Sequence, residues 1–219
     1  MRVDNASFDS YSVGMMMNES SHSVQAPSKP TARAHVCPWW AGPLLCCPLR
    51  RLWESPEALL GPHVRPGMTV LEPGCGMGYF SLPLARMVGP SGRVVCVDLQ
   101  PRMVAGLVRR ARRAGLSERI EASVCSPGDL GVERWRGRVD LVLAIHMVHE
   151  VEDPGRLLAQ VHESLRPGGR FLLLEPKGHV SGAAFDDEVA VATRAGFATV
   201  DRFLVRRSHA ALLSKPEGS

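Results

Sequence analysis

The chain has 219 residues, of which 45% are hydrophobic and 22% charged, and its formal net charge is +4. This length suits one domain of about 150–200 residues with an appendage. The ordinary composition excludes collagen-like, disulfide-scaffold and wholly disordered chains. Arg outnumbers Lys by 23 to 3, but so small a net charge gives little reason to expect a nucleic-acid partner.

The cysteines and the apolar runs predict a cytoplasmic protein. Cys75 and Cys96 fall in a predicted buried sheet, where free thiols behave as small hydrophobes, and no Cys-x-x-Cys pair has zinc-type spacing. The longest uncharged run, residues 36–49, contains three prolines and is too short to cross a bilayer. Residues 1–30 are polar and Ser-rich, unlike a secretory signal. We expect no transmembrane segment, whereas a peripheral membrane contact stays open.

The N-terminal part of the chain differs from the rest in composition and hydrophobic periodicity. Its first residues are Ser-rich, with few large hydrophobes and no periodicity, which predicts a disordered tail. Further on, Ser55 before Pro56 is the pattern of a helix N-cap with proline at the first helical position, so we expect a short helix to about Leu60. The chain therefore divides into a tail at residues 1–36, a helical extension or lid at 37–63 and a domain at 64–219.

From residue 68, short apolar strands alternate with helices. Strands buried on both faces and separated by helices are typical of a parallel sheet that is covered by helices on both sides. The last two strands follow each other without a helix between them and should pair as an antiparallel hairpin. The predicted strands are residues 68–72, 93–98, 120–125, 139–145, 170–175, 198–205 and 210–214, and the predicted helices are 80–88, 101–114, 154–165 and 183–195.

A glycine-rich loop follows the first predicted strand, at the strand ends where open α/β sheets bind ligands. Gly74, Gly76 and Gly78 let the backbone approach a ligand closely, and the next helix offers free N–H groups to an anion. Asp98 ends the second strand, 20 residues after Gly78, where its carboxylate can accept hydrogen bonds from ribose hydroxyls. These residues fit any adenosine-containing cofactor. The dinucleotide pattern Gly-x-Gly-x-x-Gly would require glycine in place of Tyr79.

The loop instead reads Glu72-Pro73-Gly74-Cys75-Gly76-Met77-Gly78, an acidic residue followed by Gly-x-Gly-x-Gly. This resembles motif I of the class I S-adenosylmethionine-dependent methyltransferases, of the small-molecule, methyltransferase type 11-like kind. The resemblance continues in residues 95–98, 139–145 and 165–171 and covers roughly residues 64–214. It implies an α/β, Rossmann-like seven-stranded sheet, mostly parallel with an antiparallel C-terminal hairpin, and S-adenosyl-L-methionine as cofactor.

The resemblance also implies which residues hold that cofactor. The loop would cradle its methionine part, Glu72 would bind its amino group directly or through water, and Asp98 would bind the ribose. The family often has an acidic residue after the third strand for the adenine amino group, whereas this chain has Ser126, with Asp129 three positions later. Ser126 or backbone groups near Cys125 would then take that contact. The full expected set is Glu72, Gly74, Cys75, Gly76, Gly78, Asp98, Leu99, Ser126 and Ile145.

Histidines and acids follow the fourth and fifth predicted strands on the same rim. Methyl transfer needs an acceptor held in line with the methyl group and, where the acceptor is protonated, a base that removes the proton. Many small-molecule methyltransferases have a similar His-rich segment after the fourth strand. We expect His149 to act as base or substrate anchor, with His146 lining the cofactor pocket and Glu150 as a third candidate. The other rim residues are Glu175, Lys177 and His179; helix capping or mutual pairing stays open for all of them.

No metal site is predicted, since the spacing of these rim residues does not encode ligand geometry. A metal reading stays open as an alternative, in which His146, His149, Glu175 and His179 converge on a cation. The Asn/Asp-Pro-Pro-Tyr/Phe tetrapeptide of amino-directed methyltransferases is absent, which favours a small-molecule acceptor over a nucleobase.

The extension could form an apolar lid over a partly hydrophobic acceptor, or simply pack on the sheet. A thiophilic acceptor bound by Cys37, Cys46 and Cys47 is a third reading. The lid residues would be Trp39, Trp40, Trp53, Leu44, Leu45, Leu49 and Leu52.

A cluster of basic side chains, Arg109, Arg110, Arg112 and Arg113, lies on the helix after the second strand. Such a helix covers the outside of the sheet, so a solvated face is expected. Two alternatives to a small-molecule enzyme stay open: an RNA or protein methyltransferase that uses this Arg-rich face, and a non-catalytic, cofactor-binding regulatory protein. A monomer and a homodimer are both compatible with the sequence.

Overall fold

A computed structural model describes residues 39–42, 46–47, 49–50, 54–205 and 207–218. The tail predicted at residues 1–36 lies outside the described residues, and so do Cys37 and much of the expected lid, namely Leu44, Leu45, Leu52 and Trp53.

The described chain alternates strands and helices much as the sequence predicts. The ends of the elements differ from the predicted ends by one or two residues, with one larger exception at the fifth strand. The strands are β1 (Thr69–Pro73), β2 (Arg93–Asp98), β3 (Ile120–Val124), β4 (Val139–Ile145), β5 (Leu165–Pro176), β6 (Ala198–Val205) and β7 (Ser208–Ser214). The α-helices are α1 (Pro56–Leu60), α2 (Ser81–Met87), α3 (Pro101–Arg113), α4 (Pro154–Ser164) and α5 (Gly182–Arg194), and short 3-10 helices occur at Trp39–Ala41, Ser117–Arg119, Glu133–Trp135 and Val148–Glu150.

The seven strands form one sheet in the order β3-β2-β1-β4-β5-β7-β6. The first five pair in parallel, while β7 pairs antiparallel with both β5 and β6. The predicted mostly parallel sheet with an antiparallel C-terminal hairpin is therefore confirmed. Because β7 is inserted between β5 and β6, β6 runs in the same direction as the first five strands and only β7 is reversed.

Helices cover both faces of the sheet. Successive residues of a strand point to opposite faces, and Val70 and Leu71 of β1 accordingly belong to two different hydrophobic clusters. The cluster of Val70 contains residues of α1, α2 and α3, such as Leu84, and the cluster of Leu71 contains residues of α4 and α5, such as Leu158. The near-continuous apolar strands are thus buried on both sides, as in other parallel sheets.

Local capping signals place several helix starts. The Ser55 hydroxyl accepts a hydrogen bond from the Ala58 amide at 3.3 Å, and Pro56 is the first residue of α1, as predicted. The Asp153 carboxylate accepts a hydrogen bond from the Arg156 amide at 2.9 Å at the start of α4. Such caps satisfy amides that have no partner within the helix.

Two predictions from the sequence are wrong: the start of the fifth strand and the placement of Cys75 in the sheet. The fifth strand was expected from Arg170, but Leu165 already pairs with Val139, and residues 166–169 bulge out before Arg170 pairs with Leu141. The Pro-Gly-Gly turn is thus a bulge within β5. Cys75, expected inside the sheet, lies in the loop after β1 and is buried there.

None of the described helices is both long and apolar enough to cross a membrane.

Candidate active site at the strand ends

A cavity of about 930 Å³ lies at the carboxyl ends of β1, β2 and β4. Of the predicted catalytic and cofactor-binding residues, all line this cavity except Gly78. The fold therefore brings together residues from the ends of strands and the loops that follow them, which are up to 78 positions apart in the sequence, from Glu72 to Glu150. Parallel strands end at the same edge of a sheet, which is why the predicted residues converge.

The glycines of the loop after β1 have two different functions. Gly76 and Gly78 both have positive φ, at 54° and 83°, where L-residues other than glycine are strained. A Cβ atom on Gly76 would meet nothing within 4 Å, so this part of the loop is open to the cavity. A Cβ atom on Gly78 would lie 2.4 Å from Leu107 Cδ1 of α3. Gly76 thus leaves room for a ligand, whereas Gly78 allows the loop to pack on a helix.

Asp98 connects β2 with this loop. Its Oδ2 atom accepts a hydrogen bond from the Gly76 amide at 2.9 Å, and its Oδ1 atom accepts one from the Gln100 amide at 2.9 Å. The side chain is buried, and burial raises the pKa of the Asp98 carboxyl. The hydrogen bonds from the Gln100 and Gly76 amides oppose this shift. Each oxygen keeps a second lone pair with which it can accept a further hydrogen bond.

Glu72 is a buried acid at the floor of the cavity. Its Oε2 atom accepts a hydrogen bond from the Ser81 hydroxyl at 2.6 Å and lies 3.9 Å from the Cys96 thiol. Only 4% of the residue is exposed, and burial raises the pKa of the Glu72 carboxyl to about 7. A carboxylate that is so poorly solvated gains strongly from a nearby cationic group.

His149 and Glu175 form a close pair at the rim. The Nδ1 atom of His149 lies 2.5 Å from Oε2 of Glu175. The Glu175 side chain is fully buried, and its Oε1 atom accepts hydrogen bonds from the amides of Val148 and His149 at 2.8 and 3.3 Å. The hydrogen bond to Glu175 raises the pKa of His149, against the opposing effect of burial. With Nδ1 engaged, Nε2 is the ring nitrogen that can exchange a proton with a ligand.

The structure adds Glu175 to the predicted site as the partner of His149. The sequence places Glu175 on the same rim, but the 26 positions between the two residues hide their contact. The ring of His179 also meets the His149 ring edge-on, with the centroids 5.7 Å apart. Glu150, the third predicted catalytic residue, lines the cavity, and its charge also raises the pKa of His149.

His146 lines the cavity and also connects three parts of the fold. Its φ angle of 58° is the one positive value for a non-glycine residue within the described ranges. Its amide donates a hydrogen bond to the Leu174 carbonyl at 2.8 Å, and its Nε2 atom lies 2.8 Å from the Ser208 hydroxyl and 3.6 Å from Oε1 of Glu54. Burial lowers the pKa of His146. These side-chain contacts engage Nε2 of the His146 ring.

The loop after β3 closes another wall of the cavity. Ser126 and Asp129 form a two-residue bridge through their backbone groups, with both hydrogen bonds at 3.0 Å. Cys125, Ser126 and Asp129 all line the cavity. The departure from the family pattern therefore leaves a hydroxyl and a carboxylate at this wall instead of a single acid.

The described part of the extension contributes Gly42, Cys46 and Arg50 to the cavity lining. The Arg50 guanidinium lies 4.2 Å over the Tyr79 ring and donates to the Glu54 carboxylate at 2.6 Å. Sequence reasoning missed Arg50, because no pattern in the extension marks it.

Two of the tryptophans expected in an apolar lid, Trp39 and Trp40, lie elsewhere. Trp39 and Trp40 do not line the cavity and are 41% and 67% exposed. The Arg102 guanidinium lies 4.2 Å over the Trp39 ring. Leu49 is also exposed, at 62%, so the described members of the expected lid face solvent or α3.

Arg110 contradicts the expectation of a uniformly solvated Arg-rich face. Arg109, Arg112 and Arg113 are exposed, but Arg110 is half-buried. Its Nη1 atom donates hydrogen bonds to the Met77 carbonyl in the glycine loop and to Cys46 Sγ. The reason is the helical period, because Arg110 lies three residues after Leu107 on the edge of the buried face of α3. Arg110 therefore connects α3, the glycine loop and the extension.

Among the described residues, no group of three or more His, Cys, Asp and Glu side chains is arranged to hold a metal ion. The described cysteines are free thiols, and Cys46, Cys75 and Cys125 line different parts of the cavity. Cys37, the third member of the suggested thiophilic set, lies outside the described residues.

Comparison with known proteins identifies the family. A family model described as a methyltransferase domain matches residues 65–199. The chain is 36% identical over 132 residues to protein-L-isoaspartate O-methyltransferase 1 of Arabidopsis thaliana, covering 56% of this chain and 51% of that protein. It is 30% identical over 125 residues to demethylmenaquinone methyltransferase of Symbiobacterium thermophilum, covering 56% and 49%. The chain spans about half the length, or less, of the first curated relatives that it matches.

The fold has close counterparts among solved structures. An S-adenosylmethionine-dependent methyltransferase from Aquifex aeolicus superposes with a TM-score of 0.75 at 19% identity, covering 82% of this chain and 100% of that chain. At this identity the likeness concerns the fold alone. Because the family model covers more than half of the chain and the sheet has the same architecture, the protein belongs to the class I S-adenosylmethionine-dependent methyltransferases.

Proposed function

We propose that this protein transfers a methyl group from S-adenosylmethionine to a partly hydrophobic small molecule, with His149 as the general base. The observation that carries the proposal is the 2.5 Å contact between His149 Nδ1 and Glu175 Oε2 at the rim of the cofactor cavity. A histidine held by a buried carboxylate has a defined tautomer and a stabilised cationic form, as a base for a protonated acceptor requires.

The residues around the glycine loop fit the cofactor. When bound, S-adenosylmethionine supplies an electrophilic methyl group on a positively charged sulfur. Buried Glu72 offers its carboxylate to the cationic amino group, and Gly76, where a Cβ would have open space, lets the loop backbone approach the methionine part. The Asp98 carboxylate would accept hydrogen bonds from the ribose hydroxyls, using the lone pairs that are not engaged by the backbone amides of Gly76 and Gln100. Leu99, Ser126 and Ile145 complete the proposed contacts.

His149 would receive the proton of the acceptor on Nε2 as the methyl group leaves the sulfur and bonds to the acceptor atom. Glu175 then stabilises the imidazolium ring through Nδ1. Because the pKa of His149 is raised above its ordinary value, the neutral base is lost as the pH falls through that raised pKa. We therefore expect the rate of transfer to rise with pH across the neutral range. In this proposal His146 has a structural role in the cavity wall, since its Nε2 atom is hydrogen-bonded to the Ser208 hydroxyl.

The cavity supports an acceptor with an apolar ring and an ionisable hydroxyl. The aromatic side chains of Tyr79 and Phe80 and the guanidinium of Arg50 line its wall together with His149. A flat ring can stack on such side chains. One relative at 30% identity is named a demethylmenaquinone methyltransferase, which supports a quinol-like acceptor for this chain as well.

Two measurements test the proposed function. Isothermal titration calorimetry with S-adenosylmethionine should show one site per chain, and absence of binding would contradict the cofactor assignment. Transfer of a labelled methyl group should then be assayed with a demethylated quinol, a catechol, an isoaspartyl peptide and RNA. We expect transfer to the phenolic acceptors. Transfer to RNA with a steep salt dependence, to the peptide alone, or to none of the four would overturn the small-molecule assignment.

Arg110 is expected to position the glycine loop for the cofactor. Replacing Arg110 with alanine removes the hydrogen bonds to Met77 and Cys46, so the Kd for S-adenosylmethionine should rise about tenfold, as for the loss of one charged hydrogen bond. Arg109→Ala is the matched control, because Arg109 is exposed on the same helix. Equal Kd values for the two variants in calorimetry would show that the contact with Met77 does not position the loop.

A further inference from the structure

The exposed side of α3 carries positive charge only. All the charged residues of this helix are arginines, namely Arg102, Arg109, Arg110, Arg112 and Arg113. Arg110 is engaged by the glycine loop, whereas the other four are exposed. No acidic side chain within the described ranges pairs with any of these four. Helix α5, on the other face of the sheet, has three acidic residues and a single arginine. The general excess of Arg in the chain therefore does not explain the charge of α3.

Three of these arginines lie in one line along the helix. Arg102, Arg109 and Arg113 follow one another at intervals of seven and four residues, which are about two turns and one turn. The helix begins after the carboxyl end of β2, and its first turn contains the cavity residue Met103. The line of positive charge thus starts beside the cavity and continues along the protein surface for about 16 Å.

Aromatic side chains of the extension are exposed where this line begins. The Trp39 ring lies 4.2 Å under the Arg102 guanidinium, and the next residue, Trp40, is 67% exposed. This segment is seated on α3, because a Cβ atom on Gly42 would lie only 3.0 Å from Met103 Sδ. Large apolar groups that are exposed next to charged ones mark interaction sites. We call Trp39, Trp40 and the four exposed arginines of α3 the Trp–Arg surface.

We propose that the Trp–Arg surface docks on an anionic lipid bilayer. Each arginine close to anionic headgroups strengthens binding by about fivefold. Tryptophan is stable at the level of the headgroups, where the apolar part of its ring leaves water. Peripheral binding needs two such contributions together, one electrostatic and one apolar, and this surface supplies both. Helix α3 then lies along the bilayer surface.

Docking in this orientation places the cavity next to the bilayer, because the line of arginines begins beside the cavity residues Leu99 and Met103. A partly hydrophobic acceptor is concentrated in the bilayer, so docking shortens its path to the cavity. This consequence rests on the proposed function, whereas the docking itself does not.

A nucleic acid is the other polyanion that such a surface could attract, and its bases could stack on Trp40. The exposed aliphatic side chains favour the bilayer. Val108 of α3 is 48% exposed, and Leu99, just before this helix, is 41% exposed. These side chains gain from leaving water for lipid, but they offer neither charge nor a hydrogen bond to a nucleotide.

The test is flotation of the full chain with vesicles at physiological ionic strength. We expect binding to vesicles of phosphatidylcholine and phosphatidylglycerol in equal parts, and none to phosphatidylcholine alone. The double variant Arg109→Gln/Arg113→Gln should bind the mixed vesicles about 25-fold more weakly. The matched control is Arg136→Gln/Arg194→Gln, which changes the net charge equally on the other face of the sheet, where Arg136 pairs with Glu163 of α4 and Arg194 ends α5. This control should bind as the natural chain does.

Tryptophan fluorescence gives a second measurement on the same vesicles. Brominated phosphatidylcholine quenches a tryptophan that enters the bilayer, so it should quench the natural chain and quench Trp40→Phe clearly less. No quenching of the natural chain would contradict the docking, as would equal binding by the two double variants. Binding to a single-stranded RNA through Arg109 and Arg113, without binding to the vesicles, would assign the surface to a nucleic acid and overturn the proposal.

Vesicle binding needs no turnover, so its result is separate from the test of function. Docking without methyl transfer to any of the four acceptors would leave the Trp–Arg surface as a lipid-binding surface and reject the proposed function. Methyl transfer to a quinol by a chain that does not bind the mixed vesicles would reject the docking alone.

Discussion

Replacing Gly76 with arginine is expected to abolish the binding of S-adenosylmethionine while the fold survives. A side chain at this position meets no protein atom within 4 Å of its Cβ and extends into the cavity. Arginine is large enough to fill the space that the methionine part of the cofactor needs. The backbone cost is that of one left-handed residue, about 1–2 kcal/mol, which is small beside the stability of most domains.

The measurement is calorimetry for binding together with thermal unfolding for stability. Gly78→Ala is the contrasting variant, because its Cβ would lie 2.4 Å from Leu107 and 2.9 Å from Leu82. Overpacking of this kind costs about 1–3 kcal/mol, and each kcal/mol lowers the Tm of a domain this size by about 2–4 °C. We expect Gly78→Ala to have the lower Tm of the two. If Gly76→Arg binds the cofactor as tightly as the natural chain does, the site has been placed wrongly.

Replacing His149 with alanine is expected to lower kcat by about 10²–10⁴, the usual contribution of a general base. The Kd for S-adenosylmethionine should change little, because the proposed cofactor contacts lie at the glycine loop and at Asp98. Glu175→Gln should lower kcat as well, since an amide cannot stabilise the imidazolium as a carboxylate does. In the natural chain, log kcat should increase with pH up to the raised pKa of His149 and then level off.

The matched control is His179→Ala, because His179 touches the His149 ring but has no contact with Glu175 among the described hydrogen bonds. We expect its kcat to stay within about threefold of the natural value. Single-turnover measurements with an accepted phenolic substrate would separate chemistry from product release. If His149→Ala retains both the rate and its dependence on pH, His149 anchors the substrate and another group removes the proton.

Much of the architecture could be predicted because its signals are local. The central strands β2 and β4 are short apolar runs that are buried on both faces of the sheet, so they show little alternation with polar residues. The helix start at Pro56 follows from the Ser55 cap next to it. The loop after β1 needs positive φ at Gly76 and Gly78, and only glycine adopts these angles readily. Such preferences operate within a few residues, where the sequence displays them directly.

The sequence by itself therefore determined the class of the fold, the glycine-rich loop after β1 and the rim on which the titratable residues lie. Only the tertiary structure decided which side chains meet. Glu175 lies against His149, 26 positions away in the sequence, and Arg110 donates a hydrogen bond to the Met77 carbonyl. The Trp39 ring lies under the Arg102 guanidinium, outside the cavity. The physical reason is that hydrogen bonds and ring contacts depend on distances of a few ångströms between elements, which packing sets and no local pattern encodes.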